Sequence, residues 1–229
     1  MIYLTGDTHG SYRHIRTFAR EHAAGPGDVL ICLGDTGFDY YGDERDAQVK
    51  DKAASMGFTL LCIRGNHDRN PASLPGYHLI PWRGGEAYCD DRWPGILFAR
   101  DGSVFDLDGR ATIAIGGAYS VDKVYRLAKG YAWFPDEQLT VDEQRAVEAA
   151  LAHRDWRIDT VLSHTCPAAF VPQEALLAGI DQSTVDTAME DWLQTIEERL
   201  DYRRWFCGHF HIEKQEADLR FVYHDILEF

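Results

Sequence analysis

Short apolar runs recur along the chain, and each ends in a small residue followed at once by an Asp, Asn or His side chain. They are Met1–Thr5 before Gly6-Asp7, Val29–Leu33 before Gly34-Asp35, Leu60–Arg64 before Gly65-Asn66, Thr160–Leu162 before Ser163-His164, and Trp205–Cys207 before Gly208-His209. The first three runs alternate with helical segments, which predicts parallel βαβ units. Because ligands of such sheets gather beyond the carboxyl ends of the strands, we expect these polar side chains to share one edge.

Apolar residues at helical spacing predict helices between and after these strands. The predicted helices cover residues 11–23, 43–56, 140–153 and 183–200. Thr140 and Glu143 have the spacing of a capping box, which marks the start of the third helix. Ser183 and Asp186 indicate the start of the fourth in the same way.

The middle of the chain has the pattern of a β-meander. Its predicted strands are Ile96–Ala99, Val104–Leu107 and Thr112–Ile115. Asp101-Gly102 and Asp108-Gly109 separate them as hairpin turns, and we expect the meander to lie in a second sheet. Residues 219–227 predict a further strand or pair of strands, and the segments 71–75 and 84–85 predict surface loops.

Composition describes a globular chain with an acidic surface. The 229 residues carry a formal net charge of 23 − 37 = −14, and 45% of them are apolar. We expect one domain, residues 1–229, without a membrane span and with no signal peptide, and hence a cytoplasmic protein. The negative charge disfavours duplex nucleic acid and anionic membranes as partners. An anionic substrate would need local positive charge, which a bound metal supplies.

Cysteine usage fits the same picture. The chain has five cysteines, an odd number, and no Cys-x-x-Cys spacing. This disfavours a disulfide framework or a thiolate zinc cluster, so buried thiols in a reducing compartment are expected.

The polar residues at the strand ends form a set that suits metal ions. The set comprises Asp7, His9, Asp35, Asn66, His67, Asp68, His164, His209 and His211. Mixed carboxylates and imidazoles suit divalent Mn, Fe, Zn or Ni. Seven candidate ligands are too many for one tetrahedral ion but fit two ions that share a carboxylate. Two metals roughly 3.5–4 Å apart can clamp a phosphoryl group for in-line displacement.

The motifs that carry these residues resemble, in order, the five motifs of the calcineurin-like metallophosphoesterases. They are Gly6–Gly10, Gly34-Asp35, Gly65–Asp68, Ser163-His164 and Gly208–His211. The resemblance implies the metallo-dependent phosphatase fold, an α/β four-layer αββα sandwich of two mixed β-sheets flanked by helices. It also implies a dinuclear phosphoesterase in which a metal-bridging hydroxide attacks a phosphate mono- or diester in line.

The resemblance further implies a role for each residue. The implied ligands are Asp7, His9 and His211 for one ion, Asn66, His164 and His209 for the other, and Asp35 as the bridge. His67 would not bind metal but would assist the leaving group, so His67 and Asp35 are the implied catalytic residues. Manganese is the favoured ion.

The second and third motifs depart from the protein Ser/Thr phosphatase branch of that family. That branch has Gly-Asp-x-x-Asp-Arg-Gly, whereas this chain has Asp39 one place late and no arginine. Its third motif ends in Asp68 rather than Glu, and its last motif has the pattern of the phosphodiesterase-like branches. Protein phosphatase activity is therefore disfavoured. Either Asp39 or Asp68 could orient His67.

Substrate contacts have the weakest sequence signal. Arg64 precedes the third motif, and Lys123 and Arg126 lie in a basic, aromatic-rich segment, so these three are the candidate contacts for a small phosphorylated substrate. A nuclease or cyclic-nucleotide phosphodiesterase of the same superfamily stays open as an alternative. So does a non-catalytic scaffold that retains the fold. The physiological substrate, the native metals and the oligomeric state are left open.

Overall fold

A computed structural model describes all of residues 1–229. The strands are β1 Ile2–Thr5, β2 Val29–Cys32, β3 Thr59–Cys62, β4 Tyr77–Trp82, β5 Gly85–Asp90, β6 Ile96–Ala99, β7 Val104–Leu107, β8 Arg110–Ile115, β9 Thr160–Ser163, β10 Arg204–Cys207, β11 Lys214–Glu216, β12 Leu219–Phe221 and β13 Leu227–Glu228. The α-helices are α1 Arg13–Glu21, α2 Glu44–Ala54, α3 Lys123–Lys129, α4 Val141–Ala152 and α5 Ala188–Glu197.

Two mixed sheets carry the site. The first has the order β13-β1-β2-β3-β6-β5-β4, and the second has the order β11-β12-β10-β9-β8-β7. The central strands pair in parallel and the edge strands pair antiparallel. The central strands β2, β6 and β9 are buried at every residue, which explains why β2 and β6 are apolar throughout rather than alternating.

Three apolar clusters give the molecule four layers. The largest, of 18 buried residues, includes Leu4 and Ile31 from the first sheet and Leu162 from the second, so it fills the space between the sheets. A second cluster packs α4 and α5 on the outer face of the second sheet. A third packs α1 and α2 on the outer face of the first. The predicted αββα sandwich is therefore confirmed.

The predicted meander is wrong in one respect, because its three strands do not share a sheet. β6 pairs with β3 in the first sheet, whereas β7 and β8 form a hairpin in the second. The chain crosses at Asp101-Gly102, where Gly102 N–H donates to the Ala114 carbonyl (2.8 Å) and Gly116 N–H to the Asp101 carboxylate (2.5 Å). These bonds tie the turn to the second sheet. The second predicted turn, Asp108-Gly109, is confirmed as the β7–β8 connection.

Two further boundaries differ from expectation. The expected loop at residues 84–85 is the end of a hairpin, and Gly85 begins β5. The last helix begins at Ala188 rather than near residue 183, because Asp181 accepts the Ser183 N–H and caps a separate 3-10 turn. The capping box at the start of α4 and the strands within residues 219–227 are confirmed.

None of the α-helices has the length and hydropathy needed to cross a bilayer.

Candidate metal centre

Five strands of the two sheets deliver the predicted residues to one place. β1, β2 and β3 are neighbours in the first sheet, β9 and β10 are neighbours in the second, and the motifs follow their carboxyl ends. Ligand atoms of Asp7, His9 and His211 lie within 4.8 Å of one another, as do those of Asp7, Asp35 and His164. The expected shared edge is therefore present, and it joins residues up to 204 positions apart (211 − 7).

The outer half of the centre, defined as Asp7, His9 and His211, is open to solvent. His9 Nε2 and His211 Nε2 are 3.1 Å apart, and His211 Nε2 is 3.6 Å from Asp7 Oδ1. The side chains of His9 and His211 are 38% and 45% exposed, whereas Asp7 is buried beneath them. Solvent can therefore reach His9 and His211 without any change in the fold.

The inner half, defined as Asn66, His164 and His209, lies deeper. Asn66 Oδ1 is 2.9 Å from His164 Nε2 and 3.0 Å from His209 Nδ1. Asp35 lies between the halves, with Oδ1 3.5 Å from His164 Nε2 and Oδ2 3.8 Å from His9 Nε2. Its position matches that of a carboxylate shared between two ions.

The inner half presents a lone pair on His164 Nε2 that has no protein donor, as a ligand for a cation requires. His164 Nδ1 donates to the Leu33 carbonyl at 2.7 Å, and burial lowers the pKa of His164 to about 3, so its Nε2 carries a lone pair. That lone pair faces Asn66 Oδ1, which is also an acceptor. Two converging acceptors repel each other unless a cation lies between them, so the donor set fits a divalent metal.

Several candidate ligands have a backbone conformation that non-glycine residues rarely adopt. Positive φ angles occur at Asp7 (43°), His9 (44°), Asp35 (49°), His209 (66°) and His211 (53°). Each such residue costs on the order of 1 kcal/mol or more, and strain of this kind concentrates at functional sites. The strained backbone of these turns directs the side chains toward the centre.

Glycines at two motif positions allow the close packing of the centre. A Cβ added at Gly34 would collide with the His164 ring, and one added at Gly65 would collide with the Asp35 carboxylate. Gly34 also has a φ of +101°, which side-chain-bearing residues avoid. The small residue at the end of each of these two apolar runs is therefore a requirement of the site.

Carboxylates are crowded at the floor of the centre. Burial raises the pKa of Asp35, and the nearby Asp7 and Asp68 raise it further. Bound cations would relieve this repulsion, since they are the largest charges in such a site.

His67 lies at the rim of the centre beside an arginine. Its backbone N–H donates to Asp35 Oδ1 at 2.8 Å, and its Nε2 accepts a hydrogen bond from Arg126 Nη2 at 3.0 Å. Asp122 and the Tyr40 hydroxyl hold that guanidinium in turn, at 2.8 and 2.9 Å. Burial and the positive charge of Arg126 lower the pKa of His67 to about 2. Arg126, a predicted substrate contact, therefore lies where an anion could reach it.

Neither carboxylate considered for His67 contacts its ring. Asp39 bonds Lys50 and the Tyr77 hydroxyl. Asp68 accepts the backbone N–H groups of Thr36 and Gly65, and the Thr36 hydroxyl, so it ties the second motif to the third. The carboxylate nearest the His67 ring is Asp35, whose Oδ2 lies 3.8 Å from Nε2, and Asp122 is linked to the ring only through Arg126.

The other two predicted substrate contacts lie outside the pocket. Arg64 is only 2% exposed, and its guanidinium donates to the Asp136 carbonyl at 2.7 Å and lies 3.5 Å from the Asp101 carboxylate. Lys123 Nζ lies 4.1 Å above the Trp133 ring. Neither residue lines the cavity beside the centre, whereas Arg126 does, so Arg126 is the substrate contact that the geometry favours.

The residues that hold the Asn66 side chain by hydrogen bonds are not predicted from the sequence. Its Nδ2 donates to the Ser120 hydroxyl at 2.9 Å, and Ser120 bonds Glu137. Both residues lie in or beyond the basic segment around α3, where no spacing or motif marks them. Only the tertiary fold brings them to the third motif.

A cavity of about 480 Å³ opens beside the centre. His9, Asp35, Asn66, His67 and Arg126 are among the residues that line its polar side. A substrate entering it would meet the candidate ligands and the arginine together.

Comparison with known proteins agrees with this geometry. The family model described as calcineurin-like phosphoesterase matches residues 1–213. None of the curated proteins is significantly similar to the chain. Among solved structures, the protein of unknown function AQ665 from Aquifex aeolicus is similar at 16% identity and a TM-score of 0.36, over 72% of this chain and 80% of that one. A likeness that distant carries no argument about function. The family match extends through all five motifs, and on that ground this chain belongs to the calcineurin-like phosphoesterase family.

Proposed function

We propose that the protein is a dinuclear metal-dependent phosphoesterase that hydrolyses a mono- or diester of a small phosphorylated molecule. Membership of the family supports metal-dependent phosphoester hydrolysis in general. The more specific proposal, a dinuclear centre that acts on a small phosphate ester, rests on one observation. Two groups of candidate ligands lie on either side of Asp35, with His67 and Arg126 at the rim.

The two halves of the centre would each hold one cation. The proposed ligands are Asp7, His9 and His211 in the outer half, Asn66, His164 and His209 in the inner half, and Asp35 between them. When bound, such a pair supplies positive charge and lowers the pKa of water to near neutrality. Manganese is the ion we favour, and iron, zinc and nickel suit the same ligands.

The chain's own residues would orient the ester. Arg126 has one Nη2 N–H left for a phosphoryl oxygen, because Asp122, Tyr40, the Ala132 carbonyl and His67 accept its other N–H groups and hold the guanidinium in place. His67 is fixed by its backbone bond to Asp35, so its ring stays at the rim, where it would stabilise charge on the leaving oxygen. In a chain of net charge −14, this arginine provides the local attraction that an anionic substrate needs.

Hydrolysis of synthetic esters tests the proposal. The Mn²⁺-loaded protein should hydrolyse 4-nitrophenyl phosphate, bis(4-nitrophenyl) phosphate or both, and the ratio distinguishes a monoesterase from a phosphodiesterase. The variant His67→Ala should lower kcat by about 100-fold or more, as expected for loss of a group that acts on the leaving oxygen. The variant His78→Ala, in strand β4 and outside the pocket, serves as the matched control.

Three outcomes would contradict all or part of the proposal. If no ester is hydrolysed with Mn, Fe, Zn or Ni, the non-catalytic scaffold becomes the better interpretation. If His67→Ala retains full activity, the role given to His67 is wrong. Activity on cyclic or polymeric nucleotides instead of small esters would favour the nuclease or cyclic-nucleotide alternative.

A cytoplasmic location is also part of the proposal. All five cysteines are free and buried. Free thiols throughout a chain are typical of a reducing compartment.

A further inference from the structure

The cavity beside the metal centre has two walls of different chemistry. One wall carries the candidate ligands, His67 and Arg126. The other, which we call the apolar wall, comprises the apolar lining residues Val121, Ala175, Leu176, Leu177, Ile180, Phe210 and Ile212. No part of the proposed hydrolysis uses this second wall, so its composition needs a separate explanation.

The apolar wall is a built part of the fold. Leu176, Leu177 and Ile180 of this wall lie in the segment 173–184, which contains two 3-10 turns. Lys214 Nζ, in β11, bonds Glu174 Oε1 at 2.8 Å and so ties the start of this segment to the second sheet, and Gln182 Nε2 donates to the Ile180 carbonyl at 3.2 Å within the segment. Leu177 is nevertheless 56% exposed, which leaves apolar area facing the cavity.

We propose that the ester's organic group is apolar, an alkyl or aryl group, and that it lies against this wall. The inference rests on the proposed function, because it places the phosphoryl group at the metal centre and Arg126. Burying apolar area of substrate and wall together favours binding. A sugar or nucleoside in the same position would bury hydroxyl groups with few partners, since Gln182 already bonds the backbone and Asp122 already bonds Arg126.

Alkylphosphonates of increasing chain length test this proposal without requiring turnover. Methyl-, butyl- and hexylphosphonate would be titrated into the Mn²⁺-loaded protein by calorimetry. Hexylphosphonate should bind about tenfold more tightly than methylphosphonate, because its chain is buried on the apolar wall. The double variant Leu177→Ser, Ile180→Ser should reduce that ratio to near one while leaving methylphosphonate affinity unchanged.

Leu127 offers a matched control. It is 55% exposed, almost the same as Leu177, but it lies on α3 outside the cavity lining. Leu127→Ser should keep the tenfold ratio. Equal affinity for all three phosphonates, or a ratio unchanged in the double variant, would overturn the apolar subsite alone. Failure of every phosphonate to bind, together with no ester hydrolysis, would instead overturn the proposed function.

A second, independent observation concerns the amide of Asn66. Ser120 is 1% exposed and Glu137 is 3% exposed, so the bonds between them are shielded from water. The Glu137 carboxylate can only accept, and it takes the Ser120 hydroxyl proton (2.5 Å), the Ser120 N–H (3.2 Å) and the Trp133 Nε1–H (2.9 Å). The Ser120 oxygen must therefore accept at its other side, from Asn66 Nδ2.

We infer that Ser120 and Glu137 are positioning residues that fix the orientation of the Asn66 amide. Nδ2 donates to Ser120 at 2.9 Å and has only a longer contact, 3.3 Å, with His67 Nε2, so Oδ1 points toward His164 and His209, where it can act as a ligand. An unfixed amide could rotate and present its NH₂ group, which has no lone pair to offer. Hydrogen-bond partners of metal ligands commonly change metal affinity by about 10- to 100-fold.

Calorimetric titration with Mn²⁺ tests this inference apart from activity. Ser120→Ala should weaken binding by about tenfold, and Ser120→Thr, which keeps the hydroxyl, should restore it. In an Asn66→Asp background the Ser120→Ala change should cost nothing, because either carboxylate oxygen can serve as the ligand. Trp133→Phe, which removes a bond to Glu137 but not the link to Asn66, serves as the control.

The results distinguish a positioning role of Ser120 from a role in protein stability alone. If Ser120→Ala lowers the thermal midpoint of the metal-free protein but leaves Mn²⁺ affinity unchanged, Ser120 is structural only and the inference is wrong. An equal loss of affinity with and without the Asn66→Asp substitution would also overturn it, since orientation would then not be the cause.

Discussion

The two halves of the metal centre differ in how firmly the protein holds them. In the inner half, His164 is fully buried and bonds Leu33, and Asn66 is held by Ser120. In the outer half, His9 and His211 are 38% and 45% exposed, and the His211 ring stacks on Tyr223 at 4.6 Å. If each half holds a cation as proposed, the inner half would be prearranged for it, whereas the exposed side chains of the outer half would be free to adjust.

This difference suggests a division of labour. Preorganised ligands bind metal tightly because little freedom is lost when the ion enters. Exposed ligands on the cavity side can share their ion with a substrate or with water. We expect the inner cation to be the tighter one and the outer cation to be the one that exchanges.

Removing the carboxylate between the halves should have the largest effect. Asp35→Asn takes one negative charge from both proposed ions, and turnover should fall by about 1,000-fold, equivalent to about 4 kcal/mol of transition-state stabilisation. Steady-state kinetics at saturating Mn²⁺ measure it. Asp43→Asn, the same change at the exposed start of α2, should leave turnover unchanged. An Asp35→Asn protein with near-normal turnover would remove the bridge from the proposal.

Single histidine deletions should separate the halves. His164→Ala should weaken the tighter Mn²⁺ binding step by about 100-fold, whereas His211→Ala should leave that step intact and weaken the second by about tenfold. Calorimetric titration resolves the two steps. Equal losses at both positions would contradict the comparison, because they would show that burial and the bonds to Leu33 and Ser120 do not distinguish the halves.

Mn²⁺ binding should stabilise the fold, and we expect most of this stabilisation to come from the ion in the inner half. Mn²⁺ at 100 times its dissociation constant should add about 2.7 kcal/mol to the free energy of unfolding. For a chain of this size that corresponds to a rise in Tm of about 5–10 °C, which differential scanning calorimetry would measure. His211→Ala should keep most of the rise and His164→Ala should lose most of it. The reverse order would contradict the assignment.

The metal-free protein should show the smallest effect, in its pH dependence. Burial lowers the pKa of His164 to about 3 in the folded state, against an ordinary value of 6.5. Below pH 6.5 the unfolded chain therefore binds a proton that the folded chain does not, and the free energy of unfolding falls as pH falls. His164→Gln should reduce this slope by about 1.4 kcal/mol per pH unit between about pH 6 and pH 4, measured by urea denaturation with a chelator present. Parallel curves for the two proteins would contradict it.

The candidate centre is easier to predict from the sequence than its surroundings. Runs such as Val29–Leu33 are apolar at every position because they are central strands, and the glycine and polar residue that follow mark the strand end. That local signal is enough to predict that Asp35 and the other strand-end residues lie close together. Local signals say nothing about which sheet a strand joins, so they do not reveal the crossing at Asp101-Gly102.

Other parts of the fold have weak or misleading local patterns. Strand β4 contains a proline and three exposed residues, so its sequence has no clean alternation. The Arg64 side chain has the charge of a phosphate contact, and only the folded structure reveals that Asp101 and Asp136 occupy it. Ser120 and Glu137 reach Asn66 across 54 and 71 positions of sequence (120 − 66 and 137 − 66), a distance over which residue spacing carries no information.

The last of the five motifs to be synthesised supplies ligands to both halves of the centre. His209 and His211 follow β10, which joins the second sheet through β9. A nascent chain that has already emerged with Asp7, Asp35, Asn66 and His164 still lacks one imidazole on each side of the bridge. If these residues hold two cations as proposed, the ribosome's direction of travel would postpone full metallation until this last motif has emerged, and cation capture would be a late event in the protein's maturation.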